Sequence, residues 1–376
     1  MLVLPLLTVV FVSAYALISV LAERKVSAWI QNRRGPLEVG PRGAFQTLAD
    51  ILKLLQKEHI VPGSADRLVF NAAPLVIFAA VFAGFAVVPL APGVIGADLN
   101  IGILYALAIV SVDVLGIWMA GWGSNNKYSI IGGMRSIAQI VSYEIPAGLA
   151  LLAAILVFGT LNLQDICMNQ SHLASGTTLL FGLDITGIGG LPAWAVVRYP
   201  HLIVAFVIFF TAALAESNRA PFDLPEAESE LVAGFLTEYS GFRFAVIFLA
   251  EYGNMLLLSL FAAVLFFGGW STPLPNLQAI PVQDALNMSI GEQFTHLQFA
   301  HLTTGTPGTW SAVLWGLFWL LTKGLFLVFV MMWVRWTFPR LRPDQLLRLC
   351  WKYLTPAAML LLVISAFWRL AEVGAF

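Results

Sequence analysis

The stretch FAVIFLAEYGNMLLLSLFAAVLFF, from Phe244 to Phe267, is almost wholly apolar, and Glu251 is its only charged residue. A helix needs roughly 20 mostly apolar residues to cross the hydrocarbon core of a membrane. The stretch therefore predicts a membrane-spanning helix that carries one carboxylate inside it.

Seven further apolar stretches lie along the chain. They cover residues 2–22, 69–90, 101–121, 141–160, 200–217, 311–336 and 355–371. The chain is 59% hydrophobic and only 11% charged, which excludes a water-soluble globular domain. The sequence predicts an all-α polytopic membrane protein with about eight transmembrane helices in a single membrane domain, 1–376. We interpret the first run as a helix because it lacks the basic start of a cleavable signal.

The basic residues are concentrated in alternate loops. Sixteen of the twenty Lys and Arg residues lie in the loops at about 23–68, 122–140, 218–243 and 337–354. The intervening loops, at about 91–100, 161–199 and 268–310, contain only Arg198. Because cytoplasmic loops hold the excess of Lys and Arg, we expect the basic loops on the cytoplasmic side and both termini outside.

The first basic loop contains a second kind of pattern. Phe45, Leu48, Ile51, Leu52 and Leu55 recur at helical spacing, opposite polar residues. This pattern predicts a short amphipathic helix on the cytoplasmic face, either at the membrane surface or beneath a partner subunit.

The two cysteines, Cys167 and Cys350, are far apart and belong to no cluster of Cys and His residues. This spacing favours neither a disulfide framework nor an iron–sulfur or zinc site. We therefore expect any redox cofactor to be bound by another chain.

Four stretches of sequence from the basic loops, which we call the four basic-side strings, resemble a known family. They are ERKVSAWIQNRRGP with GAFQTLADILKLLQKE (23–36 and 43–58), GWGSNNKYSIIGGMRSIAQIVSYEIP (121–146), AESNRAPFDLPEAESELVAGFLTEYSGFRFA (215–245) and WVRWTFPRLRPDQLLRLCWKYLTP (333–356). Together they closely resemble the H subunit of proton-pumping NADH:quinone oxidoreductase, respiratory complex I, called subunit 1 in mitochondria. The resemblance covers most of the chain except the two long outside loops.

The third string contains a dense set of acids. Asp223 and Glu226 have the spacing of a capping box, so we expect a helix to begin there. On that helix Glu226 and Glu230 share a face, and Glu228 and Glu238 extend the acidic segment. Such a run is often only a solvated loop. The match to the family pattern PFD-x-x-E-x-E-x-E favours the start of a carboxylate chain leading into the membrane.

Ionisable residues also interrupt the apolar segments. Glu144 and Glu216 lie near segment ends, and Glu251, Asp113 and Lys323 lie within segments. A charged side chain facing lipid at the bilayer centre costs at least about 2.5 kcal/mol, so these groups are expected to face the bundle interior. Glu144 and Glu216 have an alternative, which is to reach the interface. Asp113 departs from the family pattern.

The resemblance implies roles for particular residues. The implied proton path comprises Glu144, Glu216, Asp223, Glu226, Glu228, Glu230, Glu238 and Glu251. The implied quinone cavity comprises Glu23, Arg24, Arg34, Asp50, Lys53, Phe222 and Arg219. The arginines of the first loop have an alternative role as contacts for anionic lipid headgroups.

The resemblance also implies a role for this chain in a larger complex. This chain would form much of the quinone cavity, with quinone as substrate, while NADH, FMN and iron–sulfur clusters belong to partner subunits. The implied partners are peripheral-arm subunits at the cytoplasmic loops, small membrane subunits laterally, and lipid, but no nucleic acid. The missing targeting segment and the long outside loops predict a bacterial inner membrane as the location. Two alternatives remain open: the homologous subunit of a membrane-bound hydrogenase or other-donor dehydrogenase, and a stand-alone secondary ion transporter.

Overall fold

The computed structural model describes residues 3–174, 179–180, 183–185, 187–224, 231–276 and 299–372. Within these ranges the chain is mainly helical. Its helices are α1 (Val3–Ile30), α2 (Gln46–Gln56), α3 (Arg67–Gly84), α4 (Gly102–Gly123), α5 (Lys127–Phe158), α6 (Leu163–Asn169), α7 (Ala195–Arg198), α8 (His201–Glu216), α9 (Gly241–Phe266), α10 (Phe299–Thr304), α11 (Trp310–Thr337), α12 (Pro343–Arg348) and α13 (Thr355–Glu372). A π-helical turn, Leu349–Leu354, joins α12 to α13.

Short strands and 3-10 turns occupy the connections. Two antiparallel hairpins pair β1 (Pro89–Ala91) with β2 (Val94–Ile95) and β3 (Leu179–Leu180) with β4 (Leu183–Asp184). The 3-10 turns are Pro41–Gly43, Phe85–Val87, Leu191–Ala193 and Gly234–Leu236. With so little sheet, the predicted all-α fold class is confirmed.

Among the described residues, seven helices are long and apolar enough to cross a membrane. They are α1, α3, α4, α5, α9, α11 and the continuous helix from α12 to α13. The remaining predicted segment, 200–217, forms the apolar α8, which is shorter at 16 residues. Each predicted segment therefore coincides with a helix, and the chain is a multi-pass membrane protein.

The helix bounds differ most from the predicted segments at four places. The first helix continues beyond residue 22 to Ile30, and α3 ends at Gly84 rather than at residue 90. α5 begins at Lys127 although 122–140 was predicted as a loop, and the last helix begins at Pro343 although 337–354 was predicted as a loop. Asn126 caps α5 by accepting a hydrogen bond from the backbone N–H of Tyr128. The added turns are too polar to stand out by hydropathy, yet Ser136 and Gln139 on them are buried against other elements.

Two helices form the centre of the bundle. In the most apolar part of each helix, 61% of the residues of α5 and 67% of those of α9 are buried. The corresponding share for the last helix is 22%. The first of these packs against α4, α8 and α13, and the second against α3, α8 and α11. Because α8 contacts both central helices, side chains from α4, α8 and α9 meet in the interior.

The amphipathic helix predicted in the first loop is α2. Its apolar residues Leu48, Leu52 and Leu55 are each about half exposed on the isolated chain. An apolar face left open in this way suits a membrane surface or a partner subunit. The helix predicted to begin near Glu226 lies outside the described residues.

Candidate functional site

Glu23, near the end of α1, is only 4% exposed and is held by two arginines. Nη1 of Arg219 lies 3.0 Å from both carboxylate oxygens. Nη1 of Arg335 pairs with Oε1, and the hydroxyl of Tyr252 donates to Oε2. A buried charge is tolerated when it is paired and hydrogen-bonded in this way. We call Glu23, Arg219, Tyr252 and Arg335 the Glu23 cluster.

Arg219 connects the Glu23 cluster to α9. Its guanidinium lies over the ring of Tyr252 at 4.4 Å. Burial opposes the charge on this guanidinium, but Tyr252, Glu23 and the neighbouring Glu251 together raise the pKa of Arg219. The arginine is therefore a permanent cation that pairs with Glu23 of α1 and interacts electrostatically with Glu251 of α9.

Asp223 lies in the loop after α8 and is 9% exposed. Its Oδ2 accepts a hydrogen bond of 2.8 Å from Nη2 of Arg340. Burial raises the pKa of the Asp223 carboxyl above its ordinary value, and Arg340 opposes that rise without cancelling it. Asp223 therefore takes up a proton more readily than an exposed aspartate.

A small cavity of about 10 Å³ lies where α4, α8 and α9 meet. Its polar lining consists of Asp113, Glu216, Ser217, Asn218, Glu251 and Asn254. One carboxylate oxygen of Asp113 and one of Glu216 are buried and have no hydrogen-bond partner among the described residues. We call this space the three-acid cavity, and its size is about that needed for one water molecule.

A second cavity, of about 30 Å³, lies on the other side of Glu216. Glu144 of α5 and Glu216 are its acids, and the rest of its lining is apolar. The hydroxyl of Ser111, on α4, donates a hydrogen bond to Glu144. We call this the Glu144 cavity. Because Glu216 borders both cavities, it is the group common to Glu144 on one side and to Asp113 and Glu251 on the other.

The family model described as NADH dehydrogenase matches residues 2–366 of the chain. The chain belongs to the NADH dehydrogenase family. The resemblance found in the four basic-side strings is therefore confirmed.

Several relatives are similar over nearly the whole length, and each is named as the H subunit of NADH-quinone oxidoreductase. The one from Cytophaga hutchinsonii, where it carries the number 2, is 51% identical, over 94% of this chain and 95% of that protein. The one from Chlorobium luteolum is 49% identical, over 98% and 89% of the two chains. The one from Anaeromyxobacter dehalogenans is 43% identical, over 98% and 82%.

The other residues that the family resemblance singled out lie apart from the buried acids. Arg24 pairs with Asp50 at the surface, where both side chains are substantially exposed. Arg34 and Lys53 are exposed. An exposed ion pair contributes little to stability, so this surface gives these charges freedom to meet a ligand or lipid.

Two further predicted residues are engaged elsewhere. Phe222 is buried and packs edge-on against Tyr143, with ring centroids 5.3 Å apart. Glu238 accepts a hydrogen bond of 2.6 Å from Nδ2 of Asn126, at the start of α5. Glu226, Glu228 and Glu230 lie outside the described residues. Neither Phe222 nor Glu238 lines the two cavities.

Sequence reasoning missed Tyr252 and Arg335 of the Glu23 cluster. Arg335 lies within the predicted segment 311–336, and an arginine in an apolar run needs an anionic partner. The position of Arg335 in an apolar segment therefore indicates that it has an acidic partner, but it does not indicate which acid. Tyr252 gave no signal of its own, because an aromatic residue in a membrane helix is usually packing.

The two cysteines are free and buried. Within the part of the chain that the structure describes, no three His, Cys, Asp or Glu side chains are grouped as metal ligands.

Proposed function

We propose that this chain is the H subunit of a proton-pumping NADH:quinone oxidoreductase in a bacterial inner membrane, with both termini outside. The family match and the names of the relatives support this proposal over a hydrogenase subunit or a stand-alone transporter. In this role the chain binds quinone and lipid. FMN and the iron–sulfur clusters that receive electrons from NADH belong to partner subunits, which dock at the cytoplasmic loops, and small membrane subunits pack laterally.

One observation carries the proton-path part of the proposal. Glu251, Glu216 and Glu144 follow one another across two cavities in the centre of the bundle. Asp223 and Arg219 both lie in the loop after α8, where Asp223 pairs with Arg340 and Arg219 joins Glu23 to the neighbourhood of Glu251. Buried acids placed in succession, with room for water between them, support proton exchange along the bundle.

The step that couples quinone reduction to proton exchange is electrostatic. Reduction of quinone consumes protons and changes the local charge near the acidic segment, Asp223 to Glu230, with Glu238 beyond it. Arg219 faces both Glu23 and Glu251, so a change of charge on the loop side alters the electrostatic field at the first membrane acid. Glu251, Glu216 and Glu144 then exchange protons in turn.

The quinone cavity is the second part of the proposal. Its rim consists of Glu23, Arg24, Arg34, Asp50 and Lys53, and Phe222 and Arg219 belong to the cavity itself. A quinone has an apolar tail and a polar head, so its tunnel should open to lipid and end in a few polar groups. The exposed apolar face of α2, next to the Arg24–Asp50 pair, supports this arrangement.

The test uses membrane vesicles that contain the whole complex. Glu228→Gln should lower NADH-driven proton pumping, while Glu58→Gln, an exposed acid of the first loop, serves as control. Arg34→Met should raise the KM for quinone, with the adjacent Arg33→Met as its control. Normal pumping in Glu228→Gln would remove the acidic segment from the path, and unchanged quinone kinetics in Arg34→Met would remove Arg34 from the cavity.

A further inference from the structure

Asp113 is an aspartate in the middle of α4, an otherwise apolar membrane helix. Its Oδ1 is buried and meets no hydrogen-bond donor among the described residues. A buried carboxylate oxygen without a donor is costly, and in native structures it signals a functional role or a water molecule. The proton path that the family resemblance implies does not include this residue.

The groups that face Asp113 come from two further elements. Glu216 from α8, with Ser217 and Asn218 just after it, lines the three-acid cavity on one side. Glu251 and Asn254 from α9 line the other. The described residues that line this cavity include no Lys, Arg or His, although Arg219, which does not line it, interacts with Glu251 from beside it.

The three-acid cavity allows these acids to exchange protons through water. It has room for about one water molecule, and a buried water needs two to four polar partners. Asp113, Glu216 and Asn254 each present an oxygen that is buried without a partner among the described residues, which satisfies that need. A water at this point would accept a proton from one carboxyl group and donate one to another.

We propose that Asp113 is a further proton-carrying residue, which exchanges a proton with Glu216 and Glu251 through water in the three-acid cavity. The inference rests on the proposed function, since the proton it carries is one that the complex translocates. In the step, the O–H bond of a protonated Asp113 breaks, the water takes that proton, and an O–H bond of the water breaks as Glu216 gains its proton. Asp113 remains as a carboxylate, so charge and atoms balance without an oxidant or reductant.

A structural role makes a different prediction from a proton-carrying role. Asparagine has the shape of aspartate and can hydrogen-bond to water, but it cannot carry a proton. If Asp113 only solvates the cavity, Asp113→Asn should be neutral, whereas a proton carrier should be replaceable by glutamate alone.

The experiment uses the purified complex in phospholipid vesicles, with NADH and quinone supplied and the pH gradient and quinone reduction recorded together. Asp113→Asn and Asp113→Ser should each lower the initial rate of proton pumping by about tenfold or more, because a positioned proton-transfer group contributes at least that factor. Asp113→Glu should restore most of the rate. Asp165→Asn, the same change in a carboxylate of α6 outside both cavities, is the matched control.

The outcomes separate this inference from the proposed function. Full pumping in Asp113→Asn and Asp113→Ser, with pumping lost in Glu216→Gln, would overturn the role of Asp113 and leave the proposed path standing. Full pumping in Glu216→Gln as well would contradict the path itself. If the Asn and Ser chains do not assemble, infrared difference spectra on turnover decide between wild type and Asp113→Glu. A displaced protonated-carboxyl band supports the proposal, and identical spectra overturn it.

Discussion

Glu23 and Asp113 are both carboxylates on apolar helices, and their surroundings give them different roles. Glu23 meets two guanidinium groups and a phenol, which hold it as a fixed charge. Asp113 meets two other acids across a cavity with room for water. A cation-locked carboxylate can position a neighbour such as Arg219, but a carboxylate without a paired cation is the kind that exchanges protons.

Asp223 provides a prediction about pH. Because burial raises its pKa in the folded chain, the protonated form stabilises the fold, and that stabilisation is lost as the pH rises from the ordinary value of 3.8 through the raised pKa. Asp223→Asn does not titrate. Its thermal inactivation temperature minus that of the wild-type complex should therefore increase as the pH rises from about 4 through the raised pKa. A difference that is constant or decreases over this range would contradict the assignment.

The buried carboxylates of the bundle could be predicted from the sequence only in part. Glu144, Glu216 and Glu251 stand out because an acid in an apolar run is rare. Their grouping around two cavities depends on how α4, α5, α8 and α9 pack, which the spacing along the chain does not contain. The same limit applies to Glu23 and Arg335, which are 312 residues apart in sequence.

At the scale of elements, Lys323 explains how α9 ends. Its Nζ, on α11, donates to the carbonyls of Phe267, Gly269 and Ser271 at 2.7, 2.9 and 2.6 Å. Phe267 caps the C-terminus of α9, where carbonyls have no partner within the helix and a cation suits the helix dipole, and Gly269 and Ser271 lie in the turn just beyond it. The sequence shows an isolated lysine in a membrane helix, and the structure shows that it binds the end of another helix.

Lys323→Met should therefore destabilise the C-terminal end of α9. Each buried carbonyl left without a donor costs about 1–3 kcal/mol, so the thermal inactivation temperature of the complex should fall clearly. Lys352→Met, which removes an exposed lysine near the start of α13, should leave that temperature nearly unchanged. Equal temperatures for the two variants would show that Lys323 does not support this helix end.

Gly132 determines how closely α5 approaches the 3-10 turn Gly234–Leu236. A Cβ added at Gly132 would lie 2.6 Å from Cα of Gly234, and backbone at that distance has to move. Gly132→Ala should therefore lower the stability of the complex, whereas Gly148→Ala, on the same helix with open space around it, should be neutral or slightly stabilising. Thermal inactivation of both variants tests this, and an unchanged Gly132→Ala complex would contradict the close approach.

The start of α5 shows why helix bounds were harder to predict than helices. The membrane segment 141–160 was visible because it is apolar, while the turns from Lys127 to Ile140 contain Ser, Gly, Arg and Gln. Those turns pack against other elements: Gly132 lies against the turn at Gly234, Ser136 hydrogen-bonds Asn218 just after α8, and Gln139 hydrogen-bonds the carbonyl of Ala215 at the end of α8. Hydropathy reports where a helix meets lipid, and tertiary packing decides where it begins.

At the scale of the whole molecule, the bundle brings four acids from different elements into succession. Asp223 lies in the loop after α8, Glu251 and Glu216 border the three-acid cavity, and Glu144 borders the next. The relatives with which the chain shares its length are named as subunits of a quinone oxidoreductase. Our central claim is that these acids form one path for protons, with Glu216 as its shared group.

The most direct test of that claim is the number of protons translocated per NADH oxidised by the purified complex in sealed vesicles. Glu216→Gln should lower this ratio toward zero, because the NADH oxidation that remains in the variant moves no proton past Glu216. Asp165→Asn should keep the wild-type ratio. A Glu216→Gln complex that assembles and translocates protons at the wild-type ratio would contradict the claim.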